Sequence, residues 1–407
     1  MISDDIDYYK RSRDYMKASE MPQRFNTPVV KGCPDDCGLC EDHEQHSCLS
    51  ILEITDNCDL ACPVCYAQSK KGRAHRSLKD INFMLDCIVE NEGTPDVVQI
   101  SGGEPTTHPQ FFEVLEAARK RPIRHLMVNT NGVRLAEEEG FAEKLAEYMP
   151  GFELYLQFDS FSPKALKTLR GKDLRATREK ALEKINKLNL STTLVVTLAK
   201  GVNDHEIGEI LDFATKQPAV RGVNFQPMQV AGRVEGTGIE NSSLTLSEVR
   251  NRILEQSNLL QADDLIPVPC HPDALCMGYA IKMGEEIFPL TRYANPEELL
   301  KGSRNTIVFE KDTEVKKNLI KLFSTGCSPL ESAGRIKDLL CCLPKVEAPG
   351  LSYDNIFRVL ITKFMDANDF DVRSVKKSCI HIVHPDGRLI PFETMNLFYR
   401  DSIGGSE

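Results

Sequence analysis

Short apolar runs alternate with helical patterns along residues 48–235 of the 407-residue chain. Runs rich in β-branched and other apolar residues, bounded by turn residues, are typical of buried parallel strands. They predict six strands, at 49–54, 97–101, 125–130, 152–160, 192–198 and 222–227. Apolar residues at three- and four-residue spacing predict helices between them, including 111–119, 141–148 and 175–188. The alternation indicates repeated β–α units and a parallel α/β sheet.

A different pattern follows the sixth strand. Residues 232–243 form a linker rich in Gly, Ser and Asn, and Thr245 and Glu248 then form the capping box of a new helix. Farther along, the pattern predicts helices at 315–323 and 356–364, and a tight turn at 384–387 between short strands. We therefore divide the chain into a Cys-rich metal-binding segment (1–47), a strand–helix domain (48–235) and a C-terminal domain (236–407) with candidate metal ligands.

The composition of the chain argues against several classes of function. The net charge of −10 and a pI near 5.5 argue against a nucleic-acid partner, which calls for a basic surface. No apolar stretch is long enough for a transmembrane helix, and the N-terminus lacks the apolar core of a signal peptide. We therefore expect a cytoplasmic protein, in which the 14 cysteines serve as metal ligands or free thiols rather than disulfides.

Three cysteines directly after the first predicted strand are the clearest candidates for metal ligands. Cys58, Cys62 and Cys65 have the spacing Cys-x3-Cys-x2-Cys. Three thiolates this close can hold three irons of a [4Fe–4S] cluster and leave the fourth iron open to another ligand. The alternatives are scattered core cysteines or a zinc site, but zinc sites usually pair Cys-x2-Cys with a second, distant pair.

A second motif ends the second predicted strand. Residues 102–105 read Gly-Gly-Glu-Pro, and paired glycines let the backbone approach a ligand closely. The two motifs in this order, with the aromatic Tyr66 after the last cysteine, resemble the radical S-adenosylmethionine (SAM) superfamily. The resemblance implies a partial (β/α)6 TIM-like barrel with an N-terminal Cys-rich loop and a C-terminal α+β region. It also implies that SAM binds the open iron and is cleaved reductively to a 5′-deoxyadenosyl radical, using an electron donor such as flavodoxin or ferredoxin.

The same resemblance suggests which residues meet SAM. It implies that Gly102, Gly103 and Glu104 hold the SAM amino end and that Tyr66 belongs to the same site. Chemistry in such barrels lies at the carboxyl ends of the strands. Strand-end residues are therefore expected to border the nucleoside (Asn129, Thr130, Asn131) or to meet the ribose or carboxylate (Gln157, Asp159, Thr197). Each could instead be a structural strand-end residue.

The remaining cysteines suggest further metal. Cys33, Cys37 and Cys40 repeat the Cys-x3-Cys-x2-Cys spacing in a loop, which predicts an auxiliary iron–sulfur cluster, a mononuclear site or a structural zinc knuckle. Cys48 could be the fourth ligand or point into the first strand, and His43 and His46 are alternative ligands. Later candidates are Cys270, Cys276 and Cys379, with Cys341 and Cys342. Each alone could be an inert buried thiol, but together they predict at least one C-terminal metal site.

Several longer motifs narrow the resemblance: the run from Lys31 to Cys40, His-x-Gln-His at 43–46, Pro-Cys-His-Pro around Cys270, and His-Pro-Asp-Gly-Arg-Leu-Ile-Pro-Phe from His384. They are similar to the tetraether lipid synthase group, some of whose members are described as hydroxymethylpterin methyltransferases. This resemblance implies one or more auxiliary iron–sulfur clusters. Glu393 stands where a cysteine is expected in the lipid synthases.

The substrate remains open at this stage. The leading prediction is carbon–carbon bond formation on an apolar, lipid-like chain, which requires a long apolar groove and contact with a membrane surface. The first alternative is a methyltransferase acting on a pterin-like small molecule in a compact polar pocket. A peptide-modifying maturase is a second alternative. A non-enzymatic iron–sulfur or zinc module that has lost SAM is disfavoured by the intact Gly-Gly-Glu-Pro turn.

Overall fold

The six predicted strands form one continuous parallel sheet in the computed structural model, which describes residues 27–234, 236–268, 270–292, 295 and 353–400. Neighbours in sequence are neighbours in the sheet throughout this part. The strands are β1 Leu49–Glu53, β2 Val97–Ser101, β3 His125–Thr130, β4 Phe152–Gln157, β5 Thr192–Leu198 and β6 Val220–Pro227. The predicted strands and the α/β barrel-type fold are therefore confirmed.

Amphipathic helices connect these strands and cover the outside of the sheet. The first, for example, buries Ile81, Met84, Leu85 and Ile88, and Ser77 caps it by accepting a hydrogen bond from the Asp80 amide. The helices are α1 Leu78–Glu92, α2 Phe111–Arg119, α3 Val133–Glu137, α4 Phe141–Ala146, α5 Pro163–Arg170, α6 Arg175–Lys187, α7 Ile207–Lys216 and α8 Leu246–Gln256. The capping box of Thr245 and Glu248 at the start of α8 is confirmed.

The described residues of the C-terminal region add six further strands to the same sheet. These are β7 Ile266–Pro267, β8 Leu275–Met283, β9 Glu286–Pro289, β10 Ile356–Thr362, β11 Ile380–Val383 and β12 Leu389–Pro391. Short helices follow: α9 Val372–Val375, α10 Phe392–Thr394 and a π-helical turn Met395–Tyr399. The predicted turn at 384–387 connects β11 and β12, and Gly387 adopts φ of 94° there.

One secondary-structure prediction is wrong. Residues 356–364 were expected to be helical, but they form β10, which pairs parallel with β6 and antiparallel with β8. A short apolar run does not distinguish a buried strand from a buried helix, and here two neighbouring strands satisfy its backbone hydrogen bonds. The predicted helix at 315–323 lies outside the described residues.

The C-terminal strands extend both edges of the six-stranded sheet. β10 pairs with β6 and β11 pairs parallel with β1, giving the order β12-β11-β1-β2-β3-β4-β5-β6-β10-β8-β7, with β9 on β8. The division of the chain into segments 1–47, 48–235 and 236–407 stays a prediction. In the structure, strands of the second and third segments belong to the same sheet. In the described part of the chain, no helix is both long and apolar enough to cross a membrane.

A buried ion-pair network lies at the starts of the central strands. Arg358 donates to both carboxylate oxygens of Glu153, at 2.7 and 2.8 Å, and His125 Nε2 lies 3.1 Å from the same carboxylate. Burial alone would raise the pKa of Glu153, but the charges of Arg358 and His125 outweigh it and hold that pKa well below its usual range. The network occupies the amino ends of the strands, opposite the end where the predicted site residues lie.

Candidate active site

The loop that follows β1, residues 54–72 (the cluster loop), carries Cys58, Cys62 and Cys65, and all three line one cavity at the carboxyl ends of the strands. Arg233, just after β6, fastens this loop. Its backbone exchanges two hydrogen bonds of 2.9 Å with Cys65, and its guanidinium donates to the carbonyl oxygens of Cys62 and Ser69. The segment that follows β6 therefore stabilises the conformation of the loop that carries the three thiols.

The Gly-Gly-Glu turn after β2 packs directly against the cluster loop. The Gly103 amide donates to Thr55 O at 2.7 Å, and the Glu104 amide donates to Asn57 O at 2.8 Å. A Cβ atom at Gly102 would lie 2.2 Å from Thr55 O, and one at Gly103 would lie 2.3 Å from Asn57 O. Only glycine therefore allows the two backbones to approach this closely.

Glu104 is buried and connects this turn to the end of β3. Its carboxylate accepts hydrogen bonds from the amide of Thr106, from Thr130 Oγ1 at 2.8 Å and from the amide of Asn131 at 2.7 Å. Burial raises the pKa of Glu104 to about 7, although these donors act in the opposite direction. Asn131 also donates to Asp59 in the cluster loop, at 2.6 Å. Five residues from three segments are thus joined by hydrogen bonds beside the cysteines.

Two arginines from α5 and α6 bring positive charge to the site. Arg170 forms a bidentate ion pair with Asp159, at 2.6 and 2.8 Å, and Arg178 donates to the same carboxylate at 2.8 Å. Asp159 is fully buried, so we assign it to positioning the arginines. Burial raises the pKa of the Cys62 thiol, while the nearby Arg170 charge lowers it. Arg170 lines the cavity and is the best-placed cation for an anionic ligand group there.

The C-terminal end of the described chain also reaches the site. Arg400 pairs with both carboxylate oxygens of Glu53, the last residue of β1, at 2.6 and 2.7 Å, and its guanidinium lies 5.3 Å from the Tyr66 ring centre. Tyr66 packs edge-on against Phe392 and lines the cavity. Burial raises the pKa of Tyr66 to about 12, so its hydroxyl remains protonated at neutral pH.

The cavity has a volume of about 200 Å³ and two chemically different walls. On the β2–β6 side it is lined by amide and hydroxyl side chains: Gln99, Asn129, Gln157, Thr197, Asn224 and Gln226. On the side of the C-terminal strands it is lined by apolar side chains, including Leu275, Met277, Leu360, Phe364, Ile380 and Phe392. The thiols of the cluster loop lie within the same lining.

Comparison with known proteins assigns this arrangement to a family. The model of the radical SAM superfamily matches residues 52–214. The chain is also 30% identical, over 98% of its own length and 86% of the relative's, to a 7,8-dihydro-6-hydroxymethylpterin dimethyltransferase of Methanocaldococcus jannaschii. The chain belongs to the radical SAM superfamily.

More distant matches cover the radical SAM part. The chain is 25% identical over 42% of its length to a probable GTP 3′,8-cyclase of Methanothermobacter thermautotrophicus and spans about half of that relative (54%). Among solved structures, Streptococcus suis SuiB bound to its precursor peptide SuiA shares 19% identity with a TM-score of 0.42, over 52% of this chain and 45% of SuiB.

The residues around the cavity fit the group that a radical SAM enzyme holds. Cys58, Cys62 and Cys65 supply three thiols, and the chemistry of an open [4Fe–4S] cluster asks for three. Burial raises the pKa of the Cys58 thiol, so cluster assembly must remove its proton. Beside the thiols, the turn at 102–104 offers backbone groups and Arg170 offers a guanidinium, which suit the amino-acid end of SAM.

The other predicted ligands separate into two places. Cys270 and Cys379 meet each other and Cys48, and the three sulfur atoms lie within 4.8 Å of one another. Cys276 is on β8 and lines the cavity instead. In the N-terminal loop the thiols of Cys33 and Cys37 interact, and Cys37 and Cys40 are buried, so the metal site predicted for this loop stays a prediction. Cys341 and Cys342 lie outside the described residues.

Sequence reasoning missed the residues that position the site from a distance. Arg170, Arg178, Arg233 and Arg400 lie on helices and loops with no motif, and Glu53 looks like an ordinary strand residue. One signal was available: Glu53 is the only charged residue in the otherwise apolar or hydroxylic run of β1, and an acid on a fully buried strand requires a partner.

Proposed function

We propose that this radical SAM enzyme transfers a methyl group to a small, flat heteroaromatic substrate of the pterin type. One SAM is reduced to the radical that takes a hydrogen from the substrate and leaves as 5′-deoxyadenosine and methionine. A second SAM donates the methyl group and, with a second electron from the reductant, leaves as S-adenosylhomocysteine. The observation that supports this most directly is the row of amide side chains on one wall of the cavity. Each amide offers both a hydrogen-bond donor and an acceptor, as the ring edge of a pterin does. The apolar wall opposite suits the face of a planar ring.

A similar protein supports the same proposal. The Methanocaldococcus relative, which covers nearly the whole chain, is named for a methyl transfer to a dihydropterin, in agreement with this substrate class.

The protein's own residues would bind and orient the reactants. Bound at the cluster loop, the reduced cluster and SAM supply the radical that abstracts hydrogen. We assign the SAM amino end to the backbone at Gly102 and Gly103 with Glu104 behind it, and the SAM carboxylate to Arg170. Asn129, Thr130, Asn131, Gln157 and Thr197 border the remaining SAM groups, as expected from their strand-end positions. A flavodoxin or ferredoxin is the proposed electron donor.

A second candidate is carbon–carbon bond formation on an apolar chain, the leading prediction from sequence. The apolar wall formed by Leu275, Met277 and Phe364 favours it. This candidate requires the apolar wall to continue as a groove towards a membrane surface. The peptide-modifying alternative stays a prediction.

The test is a direct comparison of substrates. Anaerobically reconstituted full-length protein is supplied with SAM, dithionite and either 7,8-dihydro-6-hydroxymethylpterin or a diacyl glycerolipid. We expect 5′-deoxyadenosine formation to be stimulated by the pterin, together with a product heavier by methyl substitution. Stimulation by the lipid alone would refute the proposal and favour the second candidate.

Variants of the amide side chains test whether this wall of the cavity binds the pterin. Asn224→Ala, which removes an amide that accepts from Thr362 Oγ1 at 3.0 Å, should raise the KM for the pterin about tenfold or more, the cost of leaving one polar partner unpaired. SAM cleavage without substrate should be unchanged. Asn241→Ala, an exposed amide in the linker before α8, is the matched control and should leave both quantities unaltered.

A further inference from the structure

Three cysteines far apart in sequence meet in a second buried cluster, separate from the cluster loop. Cys48 precedes β1, Cys270 precedes β8 and Cys379 precedes β11, and each is at most 1% exposed. The sulfur atoms of Cys270 and Cys379 are 3.2 Å apart. These three thiols converge from three segments close to the imidazoles of His46 and His271, and thiols with imidazoles are a donor set that suits a tetrahedral metal ion.

The spacing of these sulfur atoms indicates how many metal ions they can hold. Thiolates bound tetrahedrally to one ion at about 2.3 Å are about 3.8 Å apart. A cubane holds each thiolate on a different iron, so its ligands must stand farther apart. In the described part of the chain, the three sulfur atoms of Cys48, Cys270 and Cys379 form the one group of three or more potential ligand atoms that lie within 4.8 Å of each other. The thiols of the cluster loop are spread more widely.

His46 is the best-placed fourth ligand. Its Nε2 lies 3.5 Å from the Cys48 sulfur, and nitrogen and sulfur ligands of one tetrahedral ion are about 3.5 Å apart. Its Nδ1 lies 2.8 Å from Glu92 Oε2, and the other carboxylate oxygen of Glu92 accepts from the Ser47 amide at 2.8 Å. A carboxylate that fixes one ring nitrogen of a histidine, while the other nitrogen binds the metal, is typical of metal-ligating histidines.

Three other imidazoles lie nearby: His271 Nε2 lies 3.4 Å from Ser374 Oγ while its Nδ1 is buried without a hydrogen-bond partner among the described residues, and His43 and His381 contact each other. His43 Nε2 lies 2.8 Å from Ser378 O and 3.1 Å from His381 Nε2. Among these histidines, His46 is the one whose ring contacts a thiol of the group and is backed by a carboxylate. Because the mutually close atoms are the three sulfurs alone, metal binding requires the His46 ring to move towards Cys270 and Cys379.

We propose that Cys48, Cys270, Cys379 and His46 bind a single tetrahedral divalent ion, iron or zinc, and that Glu92 orients His46. The ion joins the segments before β1, β8 and β11. It therefore fixes β11 beside β1 at the edge of the sheet that carries the cluster loop.

The test uses Co²⁺ as a spectroscopic probe in the full chain. The Cys58/Cys62/Cys65→Ala variant serves as the background, so that the catalytic cluster does not contribute. The difference in visible absorption between this protein and the same protein with Cys270→Ala reports the proposed site. We expect the difference spectrum to show the absorption bands of one tetrahedral Co²⁺ with thiolate charge-transfer bands. The Cys270→Ala variant should bind one Co²⁺ fewer per chain. When the comparison is repeated with the native metal, Cys270→Ala should lose no inorganic sulfide.

Histidine variants decide the fourth ligand. His46→Ala should weaken Co²⁺ binding by about 10- to 100-fold or more and shift the absorption bands, and Glu92→Gln should weaken it within that range. His46→Cys should restore tight tetrahedral binding with a spectrum shifted towards four sulfur ligands, which shows that loss in the Ala variant is not misfolding. His381→Ala and His205→Ala, the latter an exposed loop histidine, are controls that should change neither property.

Two results would overturn the proposal. Loss of about four irons together with sulfide on Cys270→Ala would identify a cubane. An unchanged Co²⁺ spectrum in His46→Ala, or a change only in His381→Ala, would exclude His46 as the ligand.

Discussion

Arg170 is held beside Cys62 by two charged hydrogen bonds from its Nε and Nη2 atoms to the carboxylate of Asp159, at 2.8 and 2.6 Å. The same guanidinium donates to Gln157 Oε1 at 2.9 Å and to Thr197 Oγ1 at 2.8 Å. Three strand-end residues that the sequence suggested as ligand contacts are therefore organised around an arginine that the sequence did not single out.

Replacement of Asp159 by Asn tests this organisation. The variant leaves Arg170 and Arg178 buried without their counter-charge, so the free energy of unfolding should fall by about 3–5 kcal/mol. SAM affinity should fall as well, because Arg170 loses its fixed position. Urea unfolding and equilibrium SAM binding measure the two effects.

The control is Asp173→Asn, which alters an exposed pair with Arg175 on the neighbouring turn. It should change neither quantity measurably. If Asp159→Asn bound SAM as tightly as the parent, Arg170 would not be a SAM contact.

Replacement of Cys58, Cys62 and Cys65 together by Ala tests the catalytic cluster. Each thiolate holds one iron, so the variant should lose about four irons per chain and all SAM cleavage, while other bound metal remains. Iron and sulfide analysis measures the loss of the cluster, and an assay for 5′-deoxyadenosine measures SAM cleavage. Persistent formation of 5′-deoxyadenosine would show that these thiols do not hold the cluster.

Replacement of Gly103 by Ala tests the contact between the Gly-Gly turn and the cluster loop. The new Cβ would lie 2.3 Å from Asn57 O, so one backbone must shift, at a cost of about 1–3 kcal/mol. We expect reduced iron retention and weaker SAM binding. In Gly72→Ala, the added Cβ meets no atom within 4 Å, although φ of 83° strains the backbone. A comparable loss of iron in both variants would indicate general destabilisation rather than this contact.

Glu104 should make stability depend on pH. Its pKa is raised from 4.5 to about 7 by burial, so between these pH values the folded protein binds this proton more tightly than the unfolded chain does. The contribution of Glu104 to the free energy of unfolding therefore falls as pH rises through that window, by on the order of 3 kcal/mol in total. Outside the window this contribution is constant. Unfolding measured at intervals from pH 4.5 to 8 should show a smaller decline in Glu104→Gln. Parallel declines in the two proteins would contradict the assignment.

The positions of the first six strands could be predicted from sequence. β-branched runs such as Val97–Ser101 and Thr192–Leu198 are buried on both faces, so their composition identifies them without tertiary information. The helix predicted at 356–364 was wrong, because the apolar residues of this run suit either a helix or a strand. Only the neighbours β6 and β8, which supply hydrogen-bond partners on both sides, make it a strand.

By itself, the sequence predicted the chemistry of the candidate catalytic centre. Cys58, Cys62 and Cys65 are close in the chain, as are Gly102, Gly103 and Glu104, so local spacing carries the information. The tertiary structure decided everything that depends on long-range convergence: the arginines around the cysteines, the two walls of the cavity, and the meeting of Cys48, Cys270 and Cys379. The physical reason is that a sequence motif depends on the spacing of residues along the chain. The charges beside a site, the walls of a cavity and the ligands of a metal depend on distances in space. Those distances are set only when the folded sheet brings separate segments together.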